Sequence, residues 1–140
     1  MTIEQIIKKY QEIYPLVDVA VIDKAYKFAS EVHKGQKRLN NETMMDHLLQ
    51  TANNLVNLRL DTATIAAGIL HDVLEYTPTD LNHLKKEFGN EIASLVEGVT
   101  FIKKVKYRDK NKFNEREAEK IRKILIAMAK DIRVILIKLT

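Results

Sequence analysis

"TATIAAGILHDVLEYT", residues 62–77, is the stretch from which the fold is read. Its first nine residues are small or apolar on every side, and a segment without a polar face belongs in an interior. A histidine and an aspartate then stand side by side, with Glu75 three residues after the aspartate. Asp61 can cap a helix that starts here and Pro78 closes it, so one continuous helix is predicted across the segment. On such a helix His71 and Glu75 share a face, and Asp72 is turned about 100° from His71. Charged groups rarely enter a core without a partner. An imidazole nitrogen beside a carboxylate oxygen suits a divalent transition metal; an ordinary hydrogen-bonded pair is the competing reading. A metal needs more ligands, and His47, on a separate helix, is the candidate. His33 precedes a helix stop and His83 lies on a polar helix face, which makes both weaker candidates.

Helical spacing extends outward from this segment. Thr2 and Gln5 stand in the spacing of a capping box ahead of "IEQIIKKY". "VDVAVIDKAYKFASEVHKG" repeats apolar residues through Val21, Ala25, Phe28, Ala29 and Val32 and stops at Gly35. "MMDHLLQTANNLVNL" places Leu48, Ala52, Leu55 and Val56 on one face. "TDLNHLKKEFG" and "NEIASLVEGVTFI" are two shorter helices divided near Gly89 and Asn90. Asn114 and Glu117 can cap "REAEKIRKILIAMAK". "IRVILIKL", residues 132–139, is β-branched like a strand but finds no partner strand, so a buried helix is expected. The basic stretch "KKVKYRDKNK", residues 103–112, is expected to be a loop. Met44, Met45 and Met128 are expected to fill core gaps.

The chain's 140 residues suffice for one all-α domain with a real core. Without cysteine, disulfides and thiolate chemistry are excluded, whereas an oxygen and nitrogen metal site is not. The net charge of +4 favours an anionic partner without choosing one. No secretory signal and no membrane-length apolar run is present, so a cytoplasmic protein without membrane partners is expected, and no direct nucleic-acid binding.

Three ordered stretches carry a resemblance: "AYKFASEVHKGQKR", then "DHLLQTANNLVNLRLDTATIAAGILHDVLEYT", then "FGNEIASLVEGVT". Together they resemble the hydrolase domain of the RelA/SpoT family, within the HD phosphohydrolase superfamily, and "RKILIAMAKDIRVILIKL" extends the match to the chain end. The resemblance implies a helical bundle of the HD type. It also implies manganese-dependent removal of the 3′-pyrophosphate of ppGpp or pppGpp, giving GDP or GTP and pyrophosphate. The family's metal ligands fall on His47, His71 and Asp72, and its catalytic acidic residue on Glu75. The second acidic residue of the family's HDxxED pattern is Tyr76 here. "HKGQKR" matches the family's HxGQxR, which puts Arg38 at the guanine-nucleotide pocket. The next segment departs from the family: a basic residue, glycine, proline and tyrosine become Leu39, Asn41, Thr43 and Met44, while Glu42 is kept.

The family's fourth metal ligand is an aspartate in a motif like KLADRLHN, which by this alignment would follow Thr140. The resemblance therefore leads us to expect an N-terminal fragment of a longer protein, spanning residues 1–140, that binds its metal and turns over ppGpp poorly. Two alternatives remain: a degenerate, non-catalytic regulatory module of a (p)ppGpp synthetase, or an HD phosphohydrolase for another nucleotide.

Overall fold

A computed structural model describes residues 1–107, 118, 119, 122 and 131–140, and the helices form where the apolar spacing calls for them. They are α1 (Ile3–Ile13), α2 (Ala20–Val32), α3 (Met44–Asn57), α4 (Thr62–Leu70), α5 (Val73–Tyr76), α6 (Leu81–Phe88), α7 (Asn90–Tyr107) and α8 (Ile132–Leu139). Among the described residues there is no strand; the one extended pairing is an isolated bridge between Lys37 and Thr43. The all-α expectation holds; "IRVILIKL" is a helix but not the buried one expected, because only Val134 and Ile137 face the core while Ile132, Ile135 and Leu139 are exposed. No helix among the described residues is long and apolar enough to cross a membrane.

Helix α4 is the axis of the bundle. Every residue from Thr64 to Leu70 is buried, which matches its lack of a polar face. It packs against α2, α3, α7 and α8. Gly68 allows a close approach of α3, because a Cβ at that position would lie 2.4 Å from Leu55 Cδ1. Leu55 is itself fully buried, so it has little room to give way. Gly98 performs the same service between α7 and α8, where a Cβ would meet Val134 Cγ2 at 3.0 Å.

The caps read from the sequence form as expected at several ends. Thr2 and Gln5 make the reciprocal capping box of α1. The four residues assigned to the inner face of α3, Leu48, Ala52, Leu55 and Val56, are all buried. Gly35 and Gly89 both take positive φ, +79° and +87°, where a side chain would be strained.

Two further expectations are corrected. The segment from Thr62 to Tyr76 is not one helix: α4 ends at Leu70 and α5 begins at Val73, with His71 and Asp72 forming the turn between them. The stretch expected to be a basic loop starts as helix instead. α7 runs on to Tyr107, because "KKVKY" contains neither glycine nor proline and lysine is a good helix former. Arg108, Lys110 and Lys112 lie outside the described residues, as do Met128 and the proposed cap at Asn114 and Glu117.

One guanidinium joins the starts of three helices. Arg133 grips Asp131 through Nε and Nη2, at 2.9 and 2.7 Å, and its Nη1 donates to Asp61 (2.9 Å) and Glu91 (2.8 Å). Asp61 and Asp131 are the N-caps of α4 and α8, and Glu91 lies in the first turn of α7. Hydrogen bonding to Arg133 holds the Asp131 carboxyl below its usual range, since it stabilises the ionised form.

Two outcomes are expected. Gly68→Val should overpack the α3–α4 contact and cost about 1–3 kcal/mol in urea unfolding; unchanged stability would show that the two helices are not in tight contact. Arg133→Met should lower stability by about 1 kcal/mol at neutral pH. Because the folded Asp131 titrates below its unfolded value, this contribution is complete above the usual aspartate pKa. It is lost as pH falls through the depressed folded value. The gap between wild type and Arg133→Met should therefore close in acid, as measured by urea midpoints across the pH range below about 4.

Candidate metal centre and nucleotide cavity

The turn that breaks the helix is what builds the site. The Nδ1–H of His71 donates to the carbonyl of Gly68, three residues back, at 2.5 Å. That bond puts a proton on Nδ1 and fixes the ring so that Nε2 faces Asp72 Oδ2, 3.3 Å away. From α3, the Nε2 of His47 reaches the same oxygen at 3.5 Å, and the two imidazole rings meet edge to face with centroids 5.4 Å apart. One ligand atom from each of His47, His71 and Asp72 lies within 4.8 Å of the other two. His71 and Asp72 are 4% and 2% exposed, and His47 opens to the adjoining cavity.

The donor set fits a divalent ion on its chemistry. Asp72 Oδ2 has an imidazole Nε2 on either side, at 3.3 and 3.5 Å, so the three groups can converge on one cation. Two imidazoles and one carboxylate are borderline-to-hard ligands of the kind that bind such ions. The carbonyl of Gly68 fixes the His71 ring in the way that an outer partner orients a metal-binding histidine.

A cavity of about 760 Å³ opens beside this cluster. Gln36, Lys37, Arg38, His47, Asp72 and Tyr76 line it, with Leu39 and Met44 supplying apolar wall. Its rim is the turn between Lys37 and Thr43. There Arg38 N–H donates to Glu42 O at 2.8 Å, Asn41 N–H donates to Arg38 O at 3.0 Å, and Asn41 takes φ +66°. Asparagine is among the few residues that tolerate this left-handed backbone, so Asn41 makes the turn for which a glycine would otherwise be chosen. Thr43 then caps α3 by accepting from the Asp46 N–H, which sets the position of His47 one turn later.

Arg38 lines the cavity, with a partner that the sequence did not reveal. Its Nη1 donates to His47 Nδ1 at 2.8 Å and lies 3.4 Å from Glu42 Oε2. Glu75 sits half-buried on α5 and, among the described residues, does not line the cavity. His71 lies in the turn and Glu75 on α5, so the two are not carried on one continuous helix. Tyr76 is exposed and lines the cavity.

The remaining histidines stay apart from the cluster. His83 is exposed on α6 with its ring 5.7 Å from Phe28. His33 is buried at the end of α2, and its Nδ1–H donates to Gln36 Oε1 at 2.8 Å. Gln36 is the site residue that sequence reasoning passed over. Its Nε2 donates to the Tyr76 carbonyl at 2.9 Å and so ties the rim to α5. The only signal was its place in "HKGQKR".

A family profile for the HD domain matches residues 25–140. The chain is 43% identical over 128 residues to a GTP pyrophosphokinase of Myxococcus xanthus, covering 91% of this chain and 17% of that protein. It is 41% identical over 140 residues to a guanosine-3′,5′-bis(diphosphate) 3′-pyrophosphohydrolase of Aquifex aeolicus, covering 100% of this chain and 19% of that protein. It is 40% identical over 138 residues to the bifunctional (p)ppGpp synthase/hydrolase SpoT of Escherichia coli, covering 99% of this chain and 19% of that protein. The chain thus spans under a fifth of the length of these relatives. A solved structure of a metazoan SpoT ortholog, described as hydrolysing ppGpp, shares the fold with a TM-score of 0.63 at 24% identity, over 88% of this chain and 66% of that one. With the family's helices in place and a histidine–aspartate pair at the centre of the profile match, this chain belongs to the HD domain family.

Proposed function

We propose that this chain is a metal-dependent hydrolase segment that removes the 3′-pyrophosphate of ppGpp or pppGpp. The observation that carries the proposal is the convergence of His47, His71 and Asp72 beside a cavity whose rim bears Lys37 and Arg38. The names of the relatives from Aquifex aeolicus and Escherichia coli give the substrate class. Manganese is the metal of this reading, and the cytoplasm, where guanine nucleotides are made and used, is its compartment.

A divalent ion held by the two Nε2 atoms and Asp72 Oδ2 would polarise a phosphoryl oxygen and acidify water. The chain's own groups supply the rest. Arg38 and Lys37 meet the negative charge of the phosphates, the guanidinium by paired hydrogen bonds. Leu39, Met44 and Tyr76 offer apolar surface to a purine. Glu75 orients the attacking water and takes its proton. Water adds to the phosphorus next to the 3′-oxygen, the bond between them breaks, and GDP or GTP leaves with pyrophosphate.

A second reading is a non-catalytic regulatory module, favoured by Tyr76 standing in the cavity wall in place of a carboxylate. Leu39 and Met44 in the same wall leave room for a third, a phosphohydrolase of another nucleotide.

The deciding experiment incubates the chain with ppGpp and manganese, measures GDP and pyrophosphate, and follows metal binding by calorimetry. Metal-dependent pyrophosphate release that EDTA abolishes is the expected result. His71→Ala should weaken manganese binding by more than about 100-fold, beyond the loss typical of an outer partner. Glu75→Gln should keep the metal and lose turnover by about 100-fold or more. Nucleotide binding without hydrolysis would favour the regulatory reading, and faster hydrolysis of a different nucleotide the third.

A further inference from the structure

His33 ends α2 with its ring in the core, 2% exposed. Among the described residues its Nδ1 meets Gln36 Oε1 at 2.8 Å and its Nε2 has no hydrogen-bond partner. The direction of the Nδ1 bond is fixed from the other end of the amide. The Tyr76 carbonyl can only accept, so the Gln36 atom 2.9 Å from it is the NH2 nitrogen. Oε1 then faces His33, and the imidazole must donate from Nδ1. The backbone of Gln36 is held as well. Its N–H donates to His33 O at 2.9 Å, and its carbonyl accepts from the N–H of Met44, the first residue of α3, at 3.1 Å. Gly35, at φ +79°, makes the reversal that brings Gln36 back to the His33 carbonyl.

Tyr76 is the last residue of α5, a helix of four residues. One turn is too short to hold its own shape, and it leaves its final carbonyls without a partner inside the helix. The Gln36 amide supplies a partner for the Tyr76 carbonyl. Gln36 and Tyr76 both line the cavity, so this one amide joins two parts of its wall that lie 40 residues apart in sequence. A buried imidazole that made no use of its nitrogens would fill this place less favourably than a leucine. We infer that His33 is a positioning residue for the cavity: it locks the Gln36 amide, and the amide pins the Tyr76 carbonyl, so that the rim and α5 form one preset wall. His33 itself does not line the cavity and acts only through Gln36. The consequence for the proposed function is tighter nucleotide binding. Tyr76 is part of the surface offered to the purine, and a wall already in place loses less freedom when the nucleotide arrives. That consequence rests on the ppGpp reading; the strap from His33 to Tyr76 does not.

The test uses the whole chain and reads amide hydrogen exchange by NMR. Gln36→Met keeps the length of the side chain and removes both of its amide hydrogen bonds. His33→Leu fills the core without a donor. His33→Asn carries an amide NH2 in place of Nδ1 and can still donate to Gln36. The Thr77 N–H closes α5 on the Val73 carbonyl at 3.2 Å. Gln36→Met and His33→Leu should each speed its exchange by at least about fivefold, while Ile69 inside α4 stays within about twofold. His33→Asn should return Thr77 to within about twofold of wild type. In ppGpp hydrolysis with manganese, Gln36→Met and His33→Leu should raise KM about 3–10-fold, the worth of one hydrogen bond, and leave manganese affinity within about twofold. Unchanged Thr77 exchange in Gln36→Met would overturn the strap. Unchanged exchange in His33→Leu, or no rescue by His33→Asn, would make His33 a core filler and overturn its positioning role. An equal rise at Ile69 and Thr77 would do the same, since the whole fold would then have weakened. Local loosening with an unchanged KM would overturn the role in binding. A wild type that neither binds nor hydrolyses ppGpp would overturn the proposed function, and Thr77 exchange would still decide the strap.

Discussion

The Asp72 carboxylate is 2% exposed and has an imidazole nitrogen on either side, at 3.3 and 3.5 Å. A buried carboxylate in that position demands compensating positive charge, because the interior does not solvate it as water does. Much of the surrounding structure serves to place these three groups together. The turn between α4 and α5 brings Asp72 beside His71. The hydrogen bond from His71 to the Gly68 carbonyl sets which nitrogen faces inward. The missing side chain at Gly68 lets α3 come close enough to α4 for His47 to reach the same oxygen. Gly68 thus serves the site twice, through its carbonyl and through its lack of a Cβ.

The frame that holds this arrangement is electrostatic at one end and apolar along its length. α4 is buried on all sides, so it has no freedom to rotate without exposing apolar surface. Its N-terminus is tied through Asp61 to Arg133, which also holds α7 and α8. Its C-terminus carries the histidine–aspartate pair. A rigid helix between an ionic clamp and a metal-type cluster is a suitable mount for ligands that must be placed to a fraction of an ångström.

The rim of the cavity shows how a divergent sequence keeps a shape. Leu39, Asn41, Thr43 and Met44 replace the residue types common in the family, yet the turn closes. Asn41 accepts the left-handed backbone and Thr43 supplies the cap that starts α3. The backbone at the rim asks only for a residue that tolerates φ +66° and a side-chain acceptor ahead of the helix. What these changes alter is the chemistry of the wall, where Leu39 and Met44 now stand.

Local periodicity and capping chemistry determined much by themselves. They placed the helices, the inner face of α3, the capping box of α1 and the helical state of "IRVILIKL", because apolar spacing and caps act over a few residues. The ordered motifs identified the family, and they named His47, His71 and Asp72 together. The break at His71 and Asp72 was not legible, because "TATIAAGILHDVLEY" has no glycine or proline where the helix turns. At the turn the His71 ring bonds the Gly68 carbonyl and Asp72 faces His47 on α3, a contact that joins two separate helices. The contact of Arg38 with His47 and the tie from Gln36 to Tyr76 were equally invisible. They join residues that only the packing of α3 against α4, and of the rim against α5, brings within hydrogen-bond distance.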